Sequence, residues 1–167
     1  MRDIARDLGM KAAPLTLAEM RARVGQELGV SRWIRLDQVR IDAFADLTED
    51  RQFIHVDPVR ARAQSPFGGT VAHGFLTLSM ISAMAYDAEP PLVGARYGVN
   101  YGFDRIRFVT PVPAGARVRA RFVLAGCEER AEGEVTLHWD LTIEIEGAER
   151  PAIAARWLQR WYLEDAR

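Results

Sequence analysis

The sequence contains a single cysteine and a single lysine, and each scarcity excludes a class of protein. Cys127 has no second cysteine to pair with, so a secreted scaffold held together by intrachain disulfides is excluded. Lys11 stands alone among 22 basic residues, and no glycine-rich loop surrounds it, which argues against Schiff-base and phosphate-loop chemistry. The formal net charge of -1 gives no indication of a nucleic-acid-binding protein.

The sequence also lacks a long hydrophobic run. Its most apolar stretch, residues 74–86, has 13 residues and is too short to span a bilayer. The first ten residues include Asp3 and Asp7 and contain no apolar run, which argues against a signal peptide. We therefore expect a cytoplasmic protein with no membrane or nucleic-acid partner. The length predicts one domain over residues 1–167, in which residues 1–15 form a loosely ordered lead.

Helix signals dominate the first half of the chain. Thr16 and Asp37 are each placed to cap a helix, and Asp57-Pro58 is a strong start for a third. Residues 74–86 are apolar nearly all round, which predicts a central helix that is buried on every side.

The second half changes to the period-two alternation that is typical of half-buried strands. Residues 135–145 alternate without a break between apolar and polar side chains, and residues 117–122 do the same. The predicted strands cover residues 31–36, 93–103, 105–109, 117–122, 135–145 and 152–163, with a polar break at residues 100–105. Hairpin-like spacing predicts antiparallel pairing, and thus an α+β fold in which the sheet covers the central helix.

Asp50 and His55 are the first candidates for chemistry. On one continuous helix they would point about 140° apart, but the helix is predicted to end near Leu47, and a turn beyond it can bring both into one pocket. A carboxylate beside an imidazole is a general acid/base pair, because the imidazole moves a proton near neutral pH. The alternative is that Asp50 caps a turn and His55 is a half-buried structural histidine.

His73-Gly74 leads directly into the predicted central helix. The first amides of a helix have no intrahelical acceptor, and a glycine there lets a ligand approach the backbone, so Gly74 is a candidate oxyanion site for a thioester carbonyl. The alternative is a glycine turn in which His73 acts as a polar cap. Thr77, Ser79 and Ser82 follow on the helix, where hydroxyl groups usually bond back to the preceding turn.

Two other features carry weaker signals. His55, Asp57 and His73 can be interpreted as metal ligands, but no cysteines support that interpretation. Cys127 lies beside two glutamates, which would raise its thiol pKa, and is interpreted as structural.

Several ordered blocks of sequence are shared with a known family. The blocks are FAD at residues 44–46, IHVDP at 54–58, PFGGTVAHGFLTLS at 66–79, GVNYG at 98–102 and RFVTPVP at 107–113. Together they resemble the MaoC-like family of (R)-specific enoyl-CoA hydratases and dehydratases, and most closely its nodulation-protein-N-like branch. The resemblance extends from about residue 15 to residue 162.

The resemblance implies a hot-dog fold, in which an antiparallel sheet wraps around one central helix. It also implies a homodimer that takes an acyl-CoA substrate and needs no metal or other cofactor. The catalytic residues would be Asp50 and His55, which activate one water for addition to a trans-2-enoyl-CoA or, in reverse, dehydrate an (R)-3-hydroxyacyl-CoA. The amide of Gly74 would bind the enolate-like oxygen, and Ser82 would contact the substrate.

The sequence departs from the family at two places beside this pair. Glu49 stands where most members have glycine, and Gln52-Phe53 replaces Asn-Pro. Two alternative functions stay open for the same fold. One is a hot-dog protein that binds acyl thioesters without turnover, and the other is a hot-dog thioesterase that would release free CoA.

Overall fold

The computed structural model describes residues 8–164. Residues 1–7 of the predicted lead therefore lie outside the described residues, as do residues 165–167. The described end of the lead contacts the body of the protein, because Leu15 donates a backbone hydrogen bond to Pro91 at 2.9 Å and Lys11 forms an ion pair with Asp87. The boundaries of the single domain, residues 1–167, stay a prediction.

The described residues form an α+β arrangement of short helices followed by long strands. The helices are α1 (Leu17–Ala22), α2 (Gln38–Thr48), α3 (Phe53–Val56), α4 (Pro58–Gln64), α5 (Gly74–Ser79) and α6 (Ile81–Ala88). The strands are β1 (Glu27–Val30), β2 (Ile34–Arg35), β3 (Ala95–Phe108), β4 (Arg117–Ala131), β5 (Glu134–Ile145) and β6 (Ile153–Leu163). Over this part of the chain, no helix has both the length and the apolar character needed to cross a membrane.

The three predicted helix starts are confirmed. The side chains of Thr16, Asp37 and Asp57 each accept a backbone N–H in the first turn of α1, α2 and α4. These bonds satisfy amides that have no partner within the helix.

The strands form one antiparallel sheet in the order β1-β4-β5-β6-β3, and β2 also pairs with β4. Burial alternates along β5, as the period-two pattern predicts. The predicted polar break at residues 100–105 is wrong, because β3 runs through it without a break. Register shifts between Asn100 and Gly102 and between Phe103 and Arg105 disrupt the alternation there, which explains the misleading pattern.

The central helix is formed by α5 and α6, which are separated only by Met80. Met84 and Ala85 on its inner face are almost completely buried. The opposite face is open, and Phe75 there is 66% exposed. The prediction of burial on every side is therefore wrong for the single chain, since the sheet covers only one face of the helix.

A buried polar chain continues from the end of α6. Glu89 is 1% exposed, and its Oε2 accepts a hydrogen bond of 2.9 Å from Gln159, whose own oxygen accepts from the indoles of Trp139 and Trp161. The other oxygen of Glu89 has no hydrogen-bond partner within the described residues. Burial raises the pKa of Glu89 to about 8, although the bond from Gln159 acts in the opposite direction.

We expect this raised pKa to make stability depend on pH. The folded state favours protonated Glu89. The contribution of this group to the free energy of unfolding is therefore complete below its ordinary pKa of 4.5 and is lost as pH rises through the folded-state pKa of about 8. Between these values the free energy of unfolding should fall by up to about 1.4 kcal/mol per pH unit. Glu89→Gln keeps the acceptor for Gln159 and should remove this slope, as measured by urea unfolding across the pH range.

Glu149→Gln, on an exposed turn, is the matched control and should unfold with the pH dependence of the wild type. The same slope in Glu89→Gln as in the wild type would contradict the prediction.

Candidate active site

The turn after α2 brings Asp50 and His55 together. Helix α2 ends at Thr48, and Glu49 adopts the left-handed conformation with φ of 62°, which reverses the chain. The short helix α3 then carries His55, whose backbone N–H donates to the backbone carbonyl of Gln52 at 2.9 Å. As a result, the Asp50 carboxylate and the His55 ring have polar atoms within 4.8 Å of each other, and their catalytic roles stay a prediction.

The orientation of the His55 ring is fixed by the backbone. Its Nδ1 lies 2.7 Å from the carbonyl oxygen of Val71. A carbonyl oxygen can only accept, so Nδ1 carries the hydrogen in this bond and Nε2 of the neutral ring keeps its lone pair. The carbonyl of His55 accepts a further bond of 2.7 Å from the side chain of Gln38, which holds α3 against α2.

The environment of His55 lowers its pKa below the ordinary value of 6.5. Burial is the largest cause, and the neighbouring His73 acts in the same direction. The bond to Val71 and the charge of Asp50 oppose them and are outweighed. His55 is therefore neutral near pH 7 and is available there as a base.

A second histidine completes the cluster. Polar atoms of Asp50, His55 and His73 all lie within 4.8 Å of one another. The rings of His55 and His73 stack with centroids 3.8 Å apart and planes inclined by 27°. One nitrogen of each ring is engaged with a backbone carbonyl, Nδ1 of His55 with Val71 and Nε2 of His73 with Asp50. Asp57 is the third member of the ligand set that the sequence suggests with the two histidines. Its carboxylate instead caps α4 by accepting a bond of 2.9 Å from the backbone N–H of Arg60.

Gly74 begins α5 beside this cluster and lines a cavity of about 320 Å³. A Cβ atom at Gly74 would lie 2.8 Å from Cδ1 of Phe108, so only glycine fits here without displacing that ring. The cavity is mostly apolar. Its other lining residues are Ile54, Phe67, Val71, Ala72, Phe75, Thr77, Phe108, Thr110, Pro111, Val112, Ala152 and Ile153.

Ser82 lies apart from Gly74. Ser82 is eight positions after Gly74 along the central helix, which corresponds to a rise of about 12 Å. The hydroxyl of Ser82 is 3.5 Å from the side-chain nitrogen of Asn100, and Ser82 lines a different cavity of about 280 Å³ together with Trp157. The hydroxyls of Thr77 and Ser79 donate to the carbonyls of His73 and Phe75 in the preceding turn, as expected for hydroxyls in a helix.

His73 is the site residue that sequence reasoning underestimated. It stands at the N-cap of α5, but its side chain makes no cap hydrogen bond. Its Nε2 instead lies 2.9 Å from the backbone carbonyl of Asp50. The sequence signal that could have identified His73 as a site residue is its position directly before Gly74, at the start of the central helix. Cys127 is half-buried in β4, and burial is the main cause that raises its thiol pKa, which agrees with a structural role.

An antiparallel sheet packed against a central helix is the architecture of hot-dog proteins, and the described residues have this architecture. Residues 19–143 match the MaoC like domain family, and the chain belongs to this family.

Named relatives and solved structures agree with this assignment. Nodulation protein N of Rhizobium leguminosarum bv. viciae is 53% identical over 86% of this chain and 89% of that protein. The 3-hydroxyacyl-thioester dehydratase Z of Mycobacterium tuberculosis (strain ATCC 25618 / H37Rv) is 40% identical over 87% of this chain and 95% of that protein. Among solved structures, the (R)-hydratase from A. caviae superposes with a TM-score of 0.65 and 26% identity, covering 81% of this chain and 94% of that chain.

The histidine content of the chain allows a direct test of the site. The sequence has 3 histidines, so ¹⁵N-histidine NMR of untagged protein should resolve each ring, and His55→Gln identifies the signal of His55. We expect His55 to titrate below pH 6.5 and to carry its hydrogen on Nδ1 at neutral pH. A hydrogen on Nε2, or titration at or above the ordinary value, would contradict this description.

Proposed function

We propose that the protein is an (R)-specific enoyl-CoA hydratase, which also catalyses the reverse dehydration of a 3-hydroxyacyl-CoA. The observation that carries the proposal is the pairing of Asp50 with His55, whose Nδ1 is committed to Val71 and whose Nε2 keeps a lone pair. A base of this kind beside a carboxylate suits the activation of one water molecule.

The names of two similar proteins support the same reaction class. One relative at 40% identity is named a 3-hydroxyacyl-thioester dehydratase, and one similar structure is named an (R)-hydratase. Hydration and dehydration are one equilibrium taken in opposite directions, so the two names describe the same chemistry.

In the proposed mechanism, the water lies between the Asp50 carboxylate and Nε2 of His55. His55 takes a proton from the water as its oxygen adds to the β-carbon of a trans-2-enoyl thioester. The thioester carbonyl gains enolate character, and the backbone N–H of Gly74 stabilises the developing charge. His55 then returns the proton that it took from the water to the α-carbon, on the same side as the added oxygen. The face of the double bond to which the water adds sets the (R) configuration at the β-carbon.

The cavity lined by Gly74 suits such a substrate, and its wall includes Ile54, the neighbour of His55 in the chain, but neither Asp50 nor His55. The cavity beside Gly74 is mostly apolar, so it favours the uncharged part of a thioester over a charged ligand. Each step is a proton transfer or an addition to a polarised double bond, so the proposed reaction needs no metal or other cofactor. The single cysteine fits the reducing cytoplasm in which we place the enzyme.

We also propose that the protein is a homodimer. Strand β3 is 14 residues long and lies at the edge of the sheet, and its aromatic residues Tyr97 and Tyr101 are exposed. Phe75, on the open face of α5, packs edge-on against Phe108 at the end of the same strand. A long exposed edge strand is a template for pairing with another chain, and a second copy of β3 matches it in length.

Asp50→Asn tests the acid/base assignment. The wild type should hydrate crotonyl-CoA or a longer trans-2-enoyl-CoA, followed by loss of enoyl-thioester absorbance, and a coupled (R)-specific dehydrogenase reports the product hand. The variant should lose about 10²–10⁴-fold in kcat, because it removes one of the two groups that hold and activate the water.

Asp46→Asn is the matched control. Asp46 is an exposed carboxylate near the end of α2 that pairs with Arg51 at 3.1 Å, and its loss should leave the rate unchanged. Free CoA release by the wild type without hydration would favour a thioesterase. Binding of enoyl-CoA with no turnover of any chain length would favour a non-catalytic binding protein.

Val99→Lys tests the proposed dimer. A charge on the edge strand should block pairing, so sedimentation equilibrium should give twice the chain mass of 18.8 kDa for the wild type and the monomer mass for the variant. The control is Val24→Lys, because Val24 is 45% exposed, close to the 43% of Val99, and precedes β1 at the opposite edge. A monomeric wild type, or a dimeric Val99→Lys, would refute this interface.

A further inference from the structure

His73 is a buried histidine that the proposed chemistry does not use. Its side chain is enclosed between two aromatic rings, with Phe44 of α2 at 5.1 Å and His55 at 3.8 Å. The residue is 2% exposed. A polar ring at such a position usually has a specific partner, because an unsatisfied buried polar group is costly.

The hydrogen-bond partner of the His73 ring is the backbone of Asp50. Nε2 of His73 lies 2.9 Å from the carbonyl oxygen of Asp50, so Nε2 carries the hydrogen and donates it. The Asp50 turn is otherwise exposed and follows Glu49 in its left-handed conformation. The bond from His73 therefore ties this turn to the start of the central helix.

The same ring also contacts the base. It stacks on His55 and thus limits the tilt of the imidazole about its bond to Val71. The titratable groups that face His55 are Asp50 and His73, while α2 contributes only the neutral side chain of Gln38 to the His55 carbonyl. His73 also helps to keep the pKa of His55 low.

We propose that His73 is a positioning residue, which holds the Asp50 turn through Nε2–H and the His55 ring through stacking, without contact to the substrate. The proposal rests on the proposed hydratase function for its catalytic consequence, but the two contacts themselves are independent of any substrate. Nδ1 of His73, which has no hydrogen-bond partner within the described residues, is not needed for either contact.

Two substitutions separate the two contacts. His73→Phe keeps an aromatic ring between Phe44 and His55 but removes the donor to Asp50. His73→Gln keeps an amide N–H that can reach the Asp50 carbonyl but removes the stacked ring. The matched control is His138→Phe, since His138 is a largely buried histidine on β5 that faces Glu128 at 3.5 Å, outside the cluster.

We expect His73→Phe to lower kcat by about tenfold to a hundredfold with KM nearly unchanged, because a small displacement of a reacting group is costly. His73→Gln should recover most of kcat, while the acid limb of its kcat/KM profile moves to higher pH as His55 loses the neighbour that lowers its pKa. His138→Phe should match the wild type in both respects.

Two measurements need no turnover. Hydrogen exchange of the peptide that contains Asp50 should be faster in His73→Phe than in the wild type, and ¹⁵N-histidine NMR should show His55 titrating at higher pH in His73→Gln. If the wild type hydrates no enoyl-CoA, the proposed function fails while these measurements still test the contacts.

The inference is overturned if folded His73→Phe keeps the wild-type kcat or the wild-type exchange at the Asp50 turn. It is also overturned if His73→Gln loses as much kcat as His73→Phe, or if His55 titrates as in the wild type in His73→Gln. A His73→Phe protein that does not fold leaves the decision to His73→Gln and its NMR titration.

Discussion

The site depends on the hydrogen bonds of one short segment, residues 70–73, which leads from the turn after α4 into the central helix. On one side, the N–H of Ala72 donates to Val112 at 2.8 Å. On the other side, the N–H of Val71 donates to Ile54 at 3.0 Å, and its carbonyl accepts from the ring of His55. Because buried backbone groups need partners, the segment cannot shift without breaking bonds on both sides. The connection between β3 and β4, which contains Val112, thereby fixes the helix α3 that carries the base.

Burial shifts the pKa values of His55 and Glu89 in opposite directions for one physical reason. It disfavours the charged form, so it lowers the pKa of His55 and raises the pKa of Glu89 to about 8. A neutral His55 is a usable base beside an exposed carboxylate. A neutral Glu89, directly after the central helix, accepts a hydrogen bond from Gln159 on β6. Desolvation therefore supports the proposed chemistry at one end of the helix and makes stability dependent on pH at the other.

Local patterns predicted most of the fold, because caps and periodicity are properties of neighbouring residues. Thr16, Asp37 and Asp57 begin helices as predicted, and the alternation of β5 marks its buried face. Three features depend on long-range contacts that no local pattern records. Strand β1 passes so close to α6 that a Cβ on Gly29 would lie 2.1 Å from the Ala88 carbonyl oxygen. Register shifts in β3 interrupt the alternation of its side chains. The open face of α5 carries apolar residues such as Phe75, which a sequence pattern cannot distinguish from those of a buried helix face.

Backbone atoms hold the candidate site at the positions where the sequence departs from the family. His55 is fixed by the carbonyls of Gln52 and Val71, and the Asp50 turn is fixed through its own carbonyl. Any residue supplies a carbonyl, so the side chains of Gln52 and Phe53 can differ from Asn-Pro without moving the pair. The ring of Phe53 packs outward, under the guanidinium of Arg60 at 4.2 Å. The side chains contribute the two ring hydrogens that these carbonyls accept, on Nδ1 of His55 and on Nε2 of His73, and His73 adds the ring that stacks on His55.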